Sequence, residues 1–369
     1  MKIKMMVAIA ALPMVALATP AQAQKAGDKI ANSYICVFDA AKVSRGNANA
    51  EAQRSVKAAQ GQMRHVYSVA LRGFAMNAAP QAMENMKRNN PNIAYCEEDQ
   101  VVTAIQRKPG GGGTTQPAQT TPWGITRVNG GRAGTFATAW VIDTGIQLDH
   151  PDLNVDVTRS RNFTGSGDAG DQNGHGTHVA GTIAARDNTI GVIGVAPGAP
   201  VVAVRVLDRR GSGSNSGVIA GVDYVAQVGR PGDVANMSLG GGASTALDTA
   251  VNNAAAGGVR FAVAAGNEAQ FAGNVSPARA NGANVFTISA FAQGDTWASF
   301  SNFGNPPVDF AEPGVAVRST WINSSYNTIS GTSMATPHFA GILLQGGPAN
   351  SGQVIGDPDG NPDTIGVAP

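Results

Sequence analysis

Cysteine is almost absent from this sequence: there are two in 369 residues, Cys36 and Cys96, and none beyond them. The long region after Cys96 therefore has no disulfides to form, and its stability must come from packing or from bound ions. An excess of one charge is also lacking, since the formal net charge is +1, which gives no reason to expect nucleic acid or an anionic surface as a partner. Hydrophobic residues still make up 43% of the chain, with 47 glycines, which indicates a folded protein rich in tight turns.

Long apolar runs are missing too, apart from one near the N-terminus. Lys2 and Lys4 form a positive region before an apolar run over 5–17, and Ala21-Gln22-Ala23 provides a small-x-small cleavage motif. The run is too short for a typical transmembrane span, and its flanks are those of a secretory signal. We therefore predict a signal peptide over 1–23, a secreted protein, extracellular or periplasmic, and a mature chain with no membrane segment.

The region 24–106 is predicted to be a small α+β domain. Its apolar and helix-forming segments follow one another in the order βαββαβ, with strands or strand pieces at 34–38, 66–71, 73–76 and 93–96 and helices at 51–62 and 81–88. This is the split βαβ, ferredoxin-like arrangement, in which the first and last strands can be neighbours. A disulfide between Cys36 and Cys96 and a pair of buried free thiols are equally compatible with that topology.

The remainder divides into three parts. Residues 107–121 contain four successive glycines and many Thr, Gln and Pro residues, which predicts a flexible linker open to proteolysis. From 122 to 345 short apolar runs alternate with helical segments, as expected of an α/β domain whose parallel sheet is covered by helices on both faces. The last stretch, 346–369, is rich in Gly, Pro and Asp and is predicted to be irregular.

Four polar residues in the α/β region have the types and order that acyl transfer requires. Asp143 ends an apolar strand, His175 lies between two glycines before an apolar helix, and Ser333 precedes another apolar helix. Asn267 follows the strand 259–264 and could donate its side-chain amide to an oxyanion together with the Ser333 N–H. Asp, His and Ser in this chain order are one of the known orders of a Ser-His-Asp triad.

Each of these residues also has a plainer interpretation. Asp143 and Asn267 could be ordinary turn residues, and Ser333 could be an ordinary helix N-cap. His175 and His178 are three positions apart and could bind zinc, although the His-Glu-x-x-His pattern of zinc proteases is absent.

Three motifs, at 141–146, 175–181 and 331–338, resemble the signatures of the subtilisin-like serine proteases, and further segments resemble the proteinase K branch. The match runs from about 122 to 341, and residues 31–105 resemble the inhibitory propeptide of the same family. The resemblance implies an α/β, subtilisin-like parallel sheet with helices on both faces, preceded by a small α+β, ferredoxin-like propeptide domain. It also implies that Ser333 is the nucleophile, His175 the base and Asp143 its orienting group, with Asn267 in the oxyanion hole.

The family's substrate is an extended peptide between two backbone segments. By position these are Gly211, Ser212 and Gly213 on one side and Ser238, Leu239 and Gly240 on the other. The pocket for the residue before the cut would be walled by 238–240 and by the segment from Ala264 to Gly266. Pairing with the main chain binds any extended peptide, so we expect broad specificity. Since the pocket wall has no acidic residue, we expect a preference for apolar or aromatic side chains, which Glu268 nearby could modify.

Maturation and metal binding are implied as well. The propeptide would act as an intramolecular inhibitor until the chain, a monomer, cuts itself between about 104 and 119. A structural calcium ion would be held by the carboxylate of Asp309 and the carbonyl oxygens of Ala283 and Val285. The tail carries Asp357, Asp359, Asn361 and Asp363 at alternate positions, which resembles a calcium loop, although Pro362 stands where an EF-hand needs glycine. A non-catalytic relative and an esterase are the competing functions.

Overall fold

The computed structural model describes residues 25–105, 116–165 and 167–369. The predicted signal peptide, most of the predicted linker and residue 166 lie outside these ranges. The first range forms a small unit with the predicted βαββαβ order. Its elements are β1 (Lys29–Phe38), α1 (Ala48–Ala58), β2 (Gln62–Tyr67), β3 (Gly73–Asn77), α2 (Pro80–Asn89) and β4 (Ile93–Ala104), with a 3-10 turn at Arg45–Asn47 before α1.

The four strands of this unit form an antiparallel sheet in the order β4-β1-β3-β2. Cys36 of β1 lies directly opposite Cys96 of β4, and the two sulfur atoms are bonded at 2.03 Å. Of the two alternatives that the sequence left open, the structure therefore has the disulfide.

The rest of the chain forms a larger unit. Its elements are α3 (Trp123–Arg127), β5 (Ala139–Asp143), β6 (Arg161–Asn162), α4 (His175–Ala184), β7 (Val201–Arg205), β8 (Ser212–Ser214), α5 (Asn215–Val228), β9 (Val234–Met237), β10 (Leu239–Gly242), α6 (Thr245–Ala256), β11 (Arg260–Ala264), β12 (Val275–Ser276), β13 (Val285–Ala292), β14 (Thr296–Trp297), β15 (Val308–Pro313), β16 (Val317–Trp321), β17 (Ser325–Ile329), α7 (Thr332–Leu344), β18 (Ala349–Gln353) and β19 (Thr364–Val367). A 3-10 turn at Ala272–Asn274 precedes β12.

A mainly parallel sheet is the centre of this unit, with the strand order β18-β19-β15-β13-β11-β9-β5-β7-β6. The inner strands are mainly apolar on both faces because each face of the sheet is covered. In β5, Trp140 and Ile142 pack with residues of α5 and α6, whereas Ala139 and Val141 pack with residues of α4 and α7. Parallel strands buried in this way read as continuous apolar runs, as predicted from the sequence. The predicted fold class is confirmed.

The small unit lies against the helices α5 and α6 of the large one. One face of its sheet joins the same apolar cluster as those helices, through residues such as Ile35, Tyr67 and Val102. The Tyr67 hydroxyl also donates to the carbonyl oxygen of Ser216 at 3.0 Å. The strand β4 is long enough to leave its own sheet and continue between β8 and β10 of the large unit.

One prediction about an irregular segment is wrong, and the described end of a second such segment departs from its prediction. The tail 346–369 is not irregular: β19 pairs in parallel with β15 at the edge of the main sheet, and β18 pairs with β19. The buried side chains of Ile365 and Val367 stabilise this edge despite the many turn residues around them. The end of the predicted linker is not free either, because Ala118 and Thr120 form bridges with Ile190 and Val192.

No helix in the described part of the chain is both long and apolar enough to cross a membrane.

Candidate active site

Two of the predicted site residues meet at the carboxyl end of β5. Asp143 ends that strand and His175 begins α4, and both side chains are fully buried. The Nδ1 atom of His175 lies 2.7 Å from Oδ1 of Asp143. Because a carboxylate can only accept, Nδ1 carries the hydrogen, so in the neutral form of the ring it is Nε2 that has the lone pair. That is the tautomer in which an imidazole acts as a base.

Ser333, the third residue, lies in the first turn of α7 and is fully buried. Its Oγ donates to the carbonyl oxygen of Ser238 at 2.8 Å, and the Ser238 hydroxyl donates back to the Ser333 carbonyl at 2.9 Å. Nε2 of His175 has no hydrogen-bond partner among the described residues. The structure thus forms the Asp–His half of the predicted triad and leaves the Ser–His hydrogen bond unmade.

Asn267 lies beside the start of α7. Its Oδ1 accepts hydrogen bonds from the Thr332 N–H at 2.9 Å and from the Thr332 hydroxyl at 3.0 Å. These bonds fix which end of the amide is oxygen, so its Nδ2 is a donor, and that atom is buried without a partner among the described residues. A buried amide donor next to a serine at a helix N-terminus is suited to binding a developing oxyanion.

The two predicted substrate segments lie on either side of the end of β4. On one side Val102 and Thr103 are opposite Gly213 and Ser212, and on the other side Ala104 is opposite Leu239. Two further hydrogen bonds extend this pairing towards Ser333: the Ala104 N–H donates to the Gly211 carbonyl at 2.8 Å, and the Ile105 N–H donates to the Ser238 carbonyl at 3.3 Å. The chain's own strand therefore occupies the cleft as an extended peptide.

A cavity of about 420 Å³ lies beside Ile105, the residue after β4. Gly240 is one residue of the predicted pocket wall that lines this cavity. A β-carbon added at Gly240 would lie 2.9 Å from the Ile105 methyl group. Ala264 and Gly266 do not line it. Asn267 and Glu268, which the sequence had already placed near the site, also line it, whereas Gln270, Asn274 and Val275, from the segment that leads into β12, were not predicted.

Carboxylates at the contact between the two units were also missed. Asp99 of β4 accepts from the backbone N–H of Ser216 at 3.0 Å, and Glu97 of β4 accepts from the hydroxyl of Ser244, the N-cap of α6. Burial raises the pKa of both carboxyl groups above its usual value. In the other direction, Asp223 of α5 accepts from three successive backbone N–H groups, of which that of Ala70 is 2.7 Å away. The three successive acidic residues after Cys96 were the sequence signal for Glu97 and Asp99.

The zinc interpretation of His175 and His178 finds no support in the geometry. Nε2 of His178 bonds to the carbonyl oxygen of Val317 at 3.1 Å, and burial lowers the pKa of this histidine to about 3. No group of three or more His, Cys, Asp or Glu side chains in the described ranges is arranged to hold a metal ion.

The residues predicted to bind calcium lie at the start of β13 and in β15. Oδ2 of Asp309 accepts the backbone N–H of Thr287 at 2.8 Å, and Thr287 follows Val285 by two residues and Ala283 by four. Desolvation raises the pKa of Asp309 to about 6. A carboxylate and backbone carbonyl oxygens are the kinds of donor that calcium accepts, and here the carboxylate contacts a backbone N–H.

Comparison with known proteins connects this geometry with one family. Residues 139–346 match the model of the subtilase family, peptidase S8. A subtilisin-like serine protease of Sarocladium strictum is 38% identical over 343 residues, covering 84% of each chain. An extracellular serine proteinase of a Thermus species is 45% identical over 306 residues, covering 79% of this chain and 70% of its own. The crystal structure of a cold-adapted subtilisin-like serine proteinase, 40% identical, superposes with a TM-score of 0.58 over 67% of this chain and 98% of its own.

Proposed function

The chain belongs to the subtilase family of serine proteases, and we propose that it is a secreted endopeptidase made as a zymogen that processes itself. Proteins are the substrates that such a protease hydrolyses. The observation that carries the proposal is the position of the chain's own segment 101–105, which lies extended in the cleft. Ile105 there contacts the same Ser238 carbonyl as Ser333 and lines the same cavity as Asn267.

The catalytic roles follow from the chemistry of the three side chains. Asp143 holds the hydrogen on Nδ1 of His175, so Nε2 is free to take the proton of the Ser333 hydroxyl. For this step Ser333 must leave the Ser238 carbonyl and turn towards His175, a change of one side-chain torsion. Catalytic hydrogen bonds are often formed only once the reacting complex is assembled. The oxygen of Ser333 then attacks the peptide carbonyl, and His175 returns the proton to the leaving amine.

The negative oxygen formed by this attack needs donors. Nδ2 of Asn267 is available, because it is buried and has no partner among the described residues, and the backbone N–H of Ser333 at the start of α7 is the second donor that we propose. Loss of one side-chain donor of this kind lowers kcat by about 10²–10³-fold in subtilisin itself. The contacts of Thr332 with Asn267 aim the amide before any substrate arrives.

The register of the bound strand also suggests where the precursor is cut. The Ile105 N–H reaches the Ser238 carbonyl, so Ile105 is the residue whose own carbonyl comes next towards Ser333 and Asn267. We therefore propose that self-cleavage occurs after Ile105, within the predicted range 104–119. The released unit would keep its strand in the cleft, where it would inhibit the enzyme as a product until it is removed.

The specificity that we propose is broad, with a preference for apolar side chains before the cut. Backbone pairing with the segments 212–214 and 239–241 contributes affinity for any extended peptide and little selectivity. Ile105 itself is apolar and only 6% exposed, with its side chain beside Gly240. Glu268 lines the same cavity and would disfavour acidic side chains there.

A structural calcium ion is a further part of the proposal. Asp309 and the carbonyl oxygens of Ala283 and Val285 would hold it, and it would fix the start of β13 against β15 without entering the reaction. Secretion is proposed from the signal peptide predicted over 1–23 and from similarity to a relative that is named extracellular.

The precursor with Ser333→Ala, produced in parallel with the unchanged precursor, tests these statements together. The unchanged chain should be cleaved after Ile105 and should react with a serine-specific phosphonate, whereas the variant should stay intact and unlabelled. N-terminal sequencing and intact mass detect the first result and gel fluorescence the second. A variant that is cut after Ile105 in the absence of any other protease would disprove self-processing, and an unlabelled wild type that hydrolyses no casein would make the chain a non-catalytic relative.

A further inference from the structure

One carboxylate close to the proposed triad has no role in the chemistry described so far. Asp171 lies in the loop before α4, four residues ahead of His175, and is partly buried. Its Oδ1 accepts the backbone N–H groups of Asn173 at 2.8 Å and of Gly174 at 2.9 Å, and its Oδ2 accepts the backbone N–H of Thr177 at 3.0 Å and the hydroxyl of the same residue at 2.7 Å. These contacts hold the backbone on both sides of His175 to one carboxylate.

The same carboxylate also reaches the other element of the site. The hydroxyl of Thr144, the residue after Asp143, donates to Oδ1 of Asp171 at 2.9 Å and accepts the backbone N–H of Gly176 at 2.9 Å. The hydroxyl of Thr177 in turn accepts the N–H of Gln147 at 2.9 Å. Asp171 is thus the centre of a network that joins the end of β5 to the first turn of α4.

The junction between these two elements is very close. A β-carbon added at Gly176 would collide with the carbonyl oxygen of Gly145 and lie 3.2 Å from the β-carbon of Asp143. The hydrogen bond between Asp143 and His175 spans this junction, so its geometry depends on how the strand end and the helix start are held together. Asp171 connects the two sides of this junction, because it accepts hydrogen bonds from Thr144 on the strand side and from Thr177 on the helix side.

We propose that Asp171 is a positioning residue, which holds the first turn of α4 on the end of β5 so that His175 stays aligned between Asp143 and Ser333. The inference rests on the proposed function of these three residues. Asp171 contacts neither substrate nor the reacting atoms, so its loss should lower the rate of the chemical step and leave substrate binding in the cleft unchanged.

Asp171→Asn is the direct test. An amide offers one acceptor atom in place of two, so either the contacts at 173–174 or those at Thr177 meet an NH₂ group that cannot accept them. We expect kcat of the mature enzyme on a short chromogenic peptide to fall on the order of 10²-fold with KM within about twofold, since small misplacements of catalytic groups have costs of that size. Titration with the phosphonate gives the concentration of reactive Ser333, so kcat is calculated per active site and is not lowered by unfolded protein.

Asp233→Asn is the matched control. Asp233 is a buried carboxylate at the opposite end of β5, where it accepts from the N–H of Thr138 at 3.1 Å, the indole of Trp140 at 3.0 Å and the N–H of Arg230 at 3.0 Å. This variant should lose stability and keep kcat per titrated site. Equal losses of kcat in both variants would show that any buried carboxylate near β5 has the same effect, and the positioning role would be rejected.

Thr144→Val supplies a second variant in case Asp171→Asn does not fold. It keeps the shape of the side chain and removes the hydroxyl that links Asp171 to the strand, so we expect a fall in kcat of about 10-fold with KM unchanged. Unchanged kcat in either variant would overturn the inference. Absence of phosphonate labelling in the wild type would instead refute the proposed function, so the two failures can be told apart.

Discussion

The two units of this protein bury their sheets in different ways. The sheet of the large unit is covered on both faces by its own helices, α5 and α6 on one face and α4 and α7 on the other. The sheet of the small unit packs one face on its own helices, around Phe74 and Met76, and the other face on helices of the large unit. The large unit thus contains a complete core, whereas half of the core of the small unit exists only while the two units are together.

This difference suits the functions that we propose for them. A unit with a complete core can hold catalytic groups in place after its partner has left. A unit that exposes an apolar sheet face on release loses much of its stability, and a temporary inhibitor has to be removable. The disulfide of the small unit offsets part of that loss, and the large unit has no cysteine at all.

The largest effect that we expect concerns chemistry in the large unit. Asp143→Asn should lower kcat by about 10⁴-fold, because an amide stabilises the wrong tautomer of His175, as in other serine proteases. The midpoint of thermal unfolding of the Ser333→Ala precursor, measured with and without Asp143→Asn, shows whether Asp143 acts only in catalysis or also stabilises the core of the large unit. A shift of more than a few degrees would mean that Asp143 also supports the core, and a loss of kcat below tenfold would remove Asp143 from the triad.

Removing the disulfide should have the next largest effect, confined to the small unit. It closes a loop of 60 residues, and a crosslink of that span contributes about 4 kcal/mol to the stability of the unit that contains it. In the Ser333→Ala precursor, Cys36→Ala with Cys96→Ala should therefore make residues 25–105 sensitive to an added protease while the large unit stays intact.

Reductant provides the control for the disulfide. It should reproduce this sensitivity in the precursor that keeps both cysteines and have no effect in the variant that lacks them. Equal resistance of both precursors would mean that docking on α5 and α6 alone stabilises the small unit, and the contrast between the units would be weaker than we argue.

Much of the site could be predicted from the sequence because its residues occur in contiguous motifs. Asp143 at a strand end, His175 between glycines and Ser333 before an apolar helix each had a local pattern, and chain order linked them. The rotamer of Ser333 could not be predicted, since it depends on the Ser238 carbonyl, 95 residues away. The network of Asp171 was also missed, because an acid in a polar loop looks like an ordinary turn residue.

The fold was predicted well where apolar runs are long. It was predicted poorly where pairing with a distant strand determines whether a short segment becomes a strand. The tail illustrates the limit: β19 has four residues, and one side of it acquires a partner only because the edge of β15 is free to pair. Turn-forming residues surround it, so local composition favoured an irregular segment. The bridges of 118 and 120 were hidden for the same reason, since their partners at 190 and 192 are distant in sequence.

The edge strand β19 also carries a titratable group, which permits a test by pH. Asp363 lies just before this strand and is only 1% exposed, with Oδ2 accepting the Ser289 hydroxyl and Oδ1 without a partner among the described residues. Burial, together with the charges of Asp357 and Asp359, raises its pKa to about 7. A raised carboxyl pKa favours the folded state while the group is protonated, so this contribution is complete below about pH 4 and is lost as the pH rises to about 7.

Asp363→Asn should remove that dependence. The variant stays uncharged, so its midpoint of thermal unfolding should change less than that of the wild type between pH 4 and pH 8, and it should be the more stable protein at pH 8. The expected difference at pH 8 is at most about 4 kcal/mol, since the pKa is raised by roughly three units and one unit corresponds to about 1.4 kcal/mol. Parallel pH curves would show that Asp363 does not titrate in this range or is neutralised by a bound cation.

The smallest expected effect comes from calcium. It would show whether the large unit is stabilised by a bound ion, as the small unit is stabilised by its disulfide. Adding a chelator to the mature enzyme should lower its midpoint of thermal unfolding by a few degrees, and excess calcium should restore it, because an ion that binds only the folded state stabilises it by mass action. Asp309→Asn should be insensitive to both additions, whereas Asp357→Asn, in the acidic tail loop, should respond like the wild type. If instead the response disappears with Asp357→Asn and survives Asp309→Asn, the ion binds at the tail, and Asp309 supports β13 only through its contact with the Thr287 N–H.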